Sequence, residues 1–369
     1  MKPSSWSFRS LLLCFAAVAA VAVAASAGAS SGDSGGRQAV GHLKHVFVIM
    51  LENHSKNGVI GDRNAPYITS LANEYGVAGR YYGVTHPSEP NYVAMIAGSN
   101  FGINSDSPAN RYDAPNLVDQ LEAKGYTWGA YMESMPSAGY TGDFWPSQSN
   151  ALYASKHNPF VLFNDIRSNP GRLAKIKPYT SLAADLNGTE QSIPNFVYIV
   201  PNQCHDMHGG VYGAVGEGSP CPYGSTNDDP NDASLKQKAD AFVKQAVTTI
   251  MSSKAWSGNS AIFIVADEGD YNGNSANGGW ADASGCCDSP VVAAGSPSIS
   301  PTWPGGVYGG GLAPAVVITT NGPRHYVSTT PYNHYSLLTT IEQNWHLGYL
   351  GNAGDTAGGV LPMNDLLGN

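Results

Sequence analysis

Residues 45–53 read His45-Val46-Phe47-Val48-Ile49-Met50-Leu51-Glu52-Asn53. The apolar run is too short for a typical helix and rich in branched side chains, the pattern of a strand buried on both faces of a parallel sheet. A polar pair, Glu52-Asn53, follows it at once. The same grammar returns at 261–266, where the run ends in Asp267-Glu268, and at 195–200, which ends in Pro201-Asn202. Further strands are expected at 126–132 and 314–319. Helical spacing fills the intervals at about 65–75, 90–97, 117–123 and 332–345. Between 232 and 253, Leu235, Ala239, Phe242, Val243, Ala246, Val247 and Ile250 line one helical face behind a capping Asp232. Alternating strands and helices specify an α/β sandwich with a mostly parallel central sheet. Ligands in such sheets bind at the carboxyl ends of the strands, where the polar pairs lie. The Gly-, Ser- and Asn-rich stretches 209–231 and 270–312 are expected as long irregular loops around that edge.

With 369 residues and 42% apolar content, the chain can bury one large core or two modest ones. Its net charge of −9 argues against a nucleic-acid polymer as partner. A small phosphate ester remains compatible, because a bound cation can supply positive charge locally. Lys2 and Arg9, the apolar run 11–25 and the small residues Ala25-Ser26-Ala27 read as a signal peptide over 1–27. A flexible stem over 28–41 follows, then a catalytic domain over 42–369. Cleavage of the leader would leave no stable membrane span, and the mature protein would be secreted. Cys204, Cys221, Cys286 and Cys287 then form an even set in an exported chain, so disulfides are expected. Three pairings are open, although Cys204 with Cys221 would close a short local loop.

Ser88, in Thr85-His86-Pro87-Ser88-Glu89-Pro90-Asn91-Tyr92, enters a helix whose first amides and dipole favour an anion. Thr85 is its chemical equal at this point. Glu52-Asn53 and Asp267-Glu268 offer the hard oxygen ligands that a divalent cation takes. The loop 201–208 carries His205, Asp206 and His208, where a histidine can act as general acid. His334 opens the last helix, and His157 can reach the pocket from a loop.

Together, Glu52-Asn53-His54-Ser55, the run from Thr85 to Tyr92, the run from Asn202 to His208, Asp267-Glu268 and Asn333-His334-Tyr335-Ser336 resemble the phosphoesterase family of bacterial acid phosphatases and phospholipases C. That family belongs to the alkaline phosphatase superfamily. The resemblance implies an alkaline-phosphatase-like three-layer sandwich and a divalent metal cation of unspecified identity on Glu52, Asn53, Asp267 and Glu268. It implies Ser88 as nucleophile, two residues before Pro90-Asn91. It places Asp206, His208 and His334 as the further catalytic groups; His205, itself a departure from the family pattern, stays a catalytic candidate on its own chemistry, and Thr85, Asn91 and His157 are the candidates for binding substrate. The activity so implied is acid hydrolysis of phosphate monoesters, phosphoinositide 3-phosphates among them, through a phosphoserine; hydrolysis of lipid diesters at the same site is the alternative. Ala266 before Asp267-Glu268 and Gly269-Asp270 after it depart from the family pattern, which bears on the leaving group.

Overall fold

The computed structural model describes residues 42–210, 219–224, 230–270, 281–296 and 300–368. The expected leader and stem lie outside the described residues. Eight strands build the central sheet: β1 (His45–Leu51), β2 (Gly76–Tyr82), β3 (Trp128–Met132), β4 (Ile176–Pro178), β5 (Phe196–Val200), β6 (Ser260–Ala266), β7 (Ala315–Thr319) and β8 (Tyr326–Asn333). Their spatial order is β8-β2-β7-β6-β1-β5-β3-β4. Seven run in one direction; β7 alone runs antiparallel to both its neighbours, β2 and β6. Every residue of β1, β5 and β6 is buried. Because successive side chains point to opposite faces, both faces of the sheet are covered, as the uninterrupted apolar runs require.

The covering helices include α1 (Pro66–Glu74), α2 (Ser88–Ala97), α3 (Leu117–Ala123), α4 (Pro230–Met251) and α5 (His334–Trp345). They pack in part as pairs, α1 on α4 and α2 on α5. All ten residues of α2 are buried, so the helix that begins at Ser88 is a core element. Pro90 stands in its first turn, where a missing amide costs nothing. The helix ends at Gly98 in the left-handed conformation, φ 66°, where a Cβ would lie 1.9 Å from the Leu350 carbonyl oxygen. Asn116 caps α3 and Asn333 caps α5, each in a reciprocal capping box. Asp232, expected as a cap, instead lies inside α4 and bonds His54 Nε2 at 2.6 Å and Lys236 Nζ at 2.7 Å.

Two disulfides close, Cys204–Cys221 and the adjacent pair Cys286–Cys287. The described parts of the long loops are irregular apart from isolated bridges and a small hairpin pairing Val291–Val292 with Gly306–Val307. Among the described residues, no helix is long and apolar enough to cross a membrane.

Candidate active site

Register assembles the first half of the site. Leu51 of β1 pairs with Ala266 of β6, so Glu52 and Asp267 leave adjacent strands side by side, about 4.8 Å apart in the hydrogen-bonding direction. The Asp267 amide donates to Leu51 O at 3.0 Å, and Asp267 Oδ1 accepts from the amides of Asn53 at 3.0 Å and Glu268 at 2.7 Å. Ser88 arrives from β2 through the turn 83–87. Asn91 holds that turn: its Oδ1 accepts from the amides of Val84 and Thr85, and its Nδ2 donates to the carbonyls of Thr85 and Pro87.

The serine is buried, and its hydroxyl does not cap the helix. Ser88 Oγ lies 3.0 Å from Glu52 Oε2, 3.0 Å from Glu268 Oε1 and 3.3 Å from Asn53 Oδ1. A hydroxyl has one proton to donate, so three acceptors converge where one can be satisfied.

The other oxygen of Glu52 faces a second cluster. Glu52 Oε1 is 2.9 Å from His157 Nε2, and Asp206 Oδ2 is 3.5 Å from His157 Nδ1. These contacts attract by charge but are out of line for hydrogen bonds, and among the described residues Asp267 Oδ2 also has no hydrogen-bond partner. Glu52, His157 and His208 bring one ligand atom each within 4.8 Å of one another. His208 Nδ1 faces the Gly209 carbonyl, which only accepts, so Nδ1 carries a proton and Nε2 is left as the acceptor or ligand atom. Lys156 Nζ approaches that Nε2 at 3.4 Å and pairs with Asp106 Oδ2 at 3.1 Å.

The charges are strongly coupled. Burial alone would raise Glu52, but the neighbouring His157 outweighs it and holds the carboxyl at about 2. Burial would likewise depress His157, yet Glu52 and Asp206 raise it to about 10. Burial, reinforced by Glu52, pushes the Asp267 and Glu268 carboxyls well up, and burial also raises Asp206. A surplus of buried carboxylate, with orphaned oxygens and three acceptors on one hydroxyl, fits a hard divalent cation. The residues that would hold it are Glu52, Asn53, Asp267 and Glu268, with His157 and His208 on the far side of Glu52.

The expected residues therefore divide. Ser88, Glu52, Asn53 and Glu268 meet directly, with Asp267 bonded to the amides of Asn53 and Glu268. Asp206, His157 and His208 gather on the other oxygen of Glu52, so His157 is a pocket residue from its own loop. Thr85 keeps its hydroxyl within the turn, reaching only His86 O at 3.4 Å. Asn91 spends its amide on the backbone and braces the turn that leads into Ser88. His205 is turned away: its Nδ1 meets both carboxyl oxygens of Glu133 at 2.9 Å and its side chain is 35% exposed. His334 cannot relay protons to Ser88, since its Nε2 donates to the Asp267 carbonyl and its Nδ1 accepts from Tyr81 OH. Burial holds it neutral, at about 4. Lys156 was missed, and His86, which flanks Ser88, reads from the sequence as a structural histidine. His86 Nδ1 contacts Glu268 Oε2 and its Nε2 donates to Asp282 O at 2.9 Å, and the only signal was their adjacency to His157 and Ser88.

A buried serine at a helix entrance, facing carboxylates at the carboxyl edge of a mostly parallel sheet, defines the class. The same fold occurs in murine ectonucleotide pyrophosphatase/phosphodiesterase 5, solved inactive with AMP, at TM-score 0.51 and 12% identity over 88% of this chain and 100% of that one. A Bacteroides thetaiotaomicron protein of glycosaminoglycan metabolism also shares it, at TM-score 0.51 and 11% identity over 89% and 82% of the two chains. Residues 62–348 match the phosphoesterase family, and the chain belongs to it. It is 29% identical to the phosphatidylinositol-3-phosphatase of Mycobacterium tuberculosis over 84% of this chain and 80% of that protein. It is 27% identical to the phosphate-repressible acid phosphatase of Penicillium chrysogenum over 82% and 59%. With the probable acid phosphatase of Kluyveromyces lactis it shares 34% over 45% and 39%. The matches thus span less than two thirds of each of the two fungal proteins, 59% of one and 39% of the other.

Proposed function

We propose that the chain is a secreted, metal-dependent acid phosphatase that hydrolyses phosphate monoesters through a phosphoserine at Ser88, with phosphoinositide 3-phosphates among its substrates. The observation that carries this reading is the convergence of Glu52 Oε2, Glu268 Oε1 and Asn53 Oδ1 on Ser88 Oγ at 3.0–3.3 Å. The names of the relatives, acid phosphatase and phosphatidylinositol-3-phosphatase, support the same chemistry.

Ser88 Oγ attacks phosphorus in line with the departing alcohol. A divalent cation bound by the carboxylates would ease ionisation of the hydroxyl and offset phosphoryl charge. Lys156 and the His157 imidazolium add positive charge beside the phosphoryl oxygens. His208, when protonated at Nε2, donates to the leaving alkoxide; as base it then takes a proton from the water that releases phosphate. As an acid phosphatase the protein should turn over faster toward acid pH, and a general acid at His208 would account for that rise.

The test compares wild type with Ser88→Ala on p-nitrophenyl phosphate, with chelation and cation add-back on the wild type. Acid quenching should trap phosphate on the peptide containing Ser88. Undiminished turnover in Ser88→Ala would end the covalent reading, and indifference to chelator would end the metal reading.

A further inference from the structure

The Cys286–Cys287 disulfide lies outside the chemistry above, yet it touches the supports of both Asp267 and Glu268. The bond closes a small ring through the peptide linking two adjacent residues. Cys287 has φ 58° and Asp288 φ 65°, successive left-handed residues that carry a β-carbon. The carbonyls of both cysteines point at one side chain: Asn333 Nδ2 donates to Cys286 O at 3.2 Å and Cys287 O at 2.8 Å. Asn333 caps α5, and the next residue, His334, holds the Asp267 carbonyl. The same loop carries Asp282, whose carbonyl holds His86 against Glu268. Cys286 and Cys287 also pack on Val84, Ala94 and Tyr335, from the turn and helix around Ser88 and from α5. Cys286 is half-buried, within reach of a small reductant.

We propose that this disulfide is a redox-sensitive clip that keeps Asp267 and Glu268 in place, and that a dithiol reductant switches the site down by opening it. The proposal rests on the functional reading above for its activity readout alone. In the step, the dithiol gives two electrons and two protons, the Cys286–Cys287 bond becomes two thiols, and the dithiol closes to its own disulfide. With the ring open, Cys287 loses the restraint on its left-handed backbone, the two carbonyls leave Asn333, and both supporting chains slacken. Losing such outer support of ligands typically costs about tenfold or more in activity or metal affinity.

The experiment uses the full chain carrying Cys204→Ser and Cys221→Ser, so that the clip is the disulfide left to open, alongside wild type in case that variant folds poorly. Dithiothreitol is added, free thiols are mapped by alkylation and mass spectrometry, and p-nitrophenyl phosphate turnover is followed with hydrogen exchange at residues 267–269 and 333–336. Labelling of Cys286 and Cys287 should track a fall in turnover of about tenfold and faster exchange at those amides, both reversed on reoxidation. In wild type the fall should follow labelling of Cys286 and Cys287, not of Cys204 and Cys221. Cys286→Ser/Cys287→Ser should start at the reduced rate and ignore the reductant. Full labelling with unchanged exchange overturns the clip, as does a disulfide that dithiothreitol cannot open. An oxidised protein with no phosphatase activity would instead count against the functional reading, and the exchange data would still decide on the clip.

Discussion

Glu342→Gln should stabilise this protein in a strictly pH-dependent way. Glu342 lies in α5, 1% exposed; its Oε1 accepts from the Leu350 amide at 2.9 Å, while among the described residues its Oε2 has no hydrogen-bond partner. Burial raises its carboxyl to about 8, from 4.5 for an ordinary glutamate. Below pH 4.5 both the folded and unfolded chains hold the proton, and the residue contributes no penalty. As pH rises toward 8 the unfolded chain ionises first, so stability falls by about 1.4 kcal/mol per pH unit, reaching about 5 kcal/mol at the limit. Gln keeps the acceptor for Leu350 and cannot ionise. Urea unfolding of both proteins at pH 5, 6.5 and 8 should give near-equal stabilities at pH 5 and an advantage for Glu342→Gln of several kcal/mol at pH 8. Other buried acids, such as Glu89, raised by burial to about 7, are common to both proteins and cancel. A stability difference that does not change with pH would refute the reasoning.

Three further outcomes concern the site. His208→Ala should lower turnover by about a hundredfold or more and flatten the acid rise, whereas His205→Ala, whose imidazole faces Glu133, should match the parent in a pH–rate series. Lys156→Met should weaken inhibition by inorganic phosphate by about tenfold, roughly 1.4 kcal/mol of lost attraction; pairing it with Asp106→Asn removes the partly buried carboxylate left without its lysine and separates binding from folding. Gly83→Ala puts a Cβ 2.8 Å from Asp267 O and 3.0 Å from the Glu268 Cα. Because both are backbone atoms of the acidic pair, turnover should drop sharply, at a stability cost on the order of 2 kcal/mol, read by parallel rate and melting measurements.

The strands legible in the sequence were those buried on both faces, because after the polar first residues His45 and Ser260 burial leaves β1, β5 and β6 uninterrupted apolar runs at 46–51, 196–200 and 261–266. β2 was missed. It contains Gly76, Gly79 and Arg80, and Gly79 is needed because a Cβ there would sit 2.8 Å from Ser328 O of β8. β8 hid for the opposite reason: an edge strand carrying Ser328, Thr329, Thr330 and Pro331 resembles a loop, and its last residues were absorbed into the following helix. β4 is three residues long and carries no pattern. In the site, the strand-end pairs were readable because a strand fixes where its next residue emerges. Loop residues were not: His205 and His208 are three apart, and only the packed turn decides that one faces Glu133 and the other the pocket. A lysine such as Lys156 reads as surface until the fold buries it against Asp106.

The reversed strand β7 sets the order in which the site can come into being. It lies between β6, which ends at Asp267-Glu268, and β2, which leads to Ser88. Until residues 315–319 are made and inserted, the serine and the second acidic pair have no spacer to fix their separation, although all of them have already left the ribosome. A growing chain that has completed every residue through 300 thus carries Ser88, Glu52, Asp267 and Glu268 without the strand that spaces them. The order of the sheet therefore makes the site a late product of the chain, completed only when β7 joins β6 to β2.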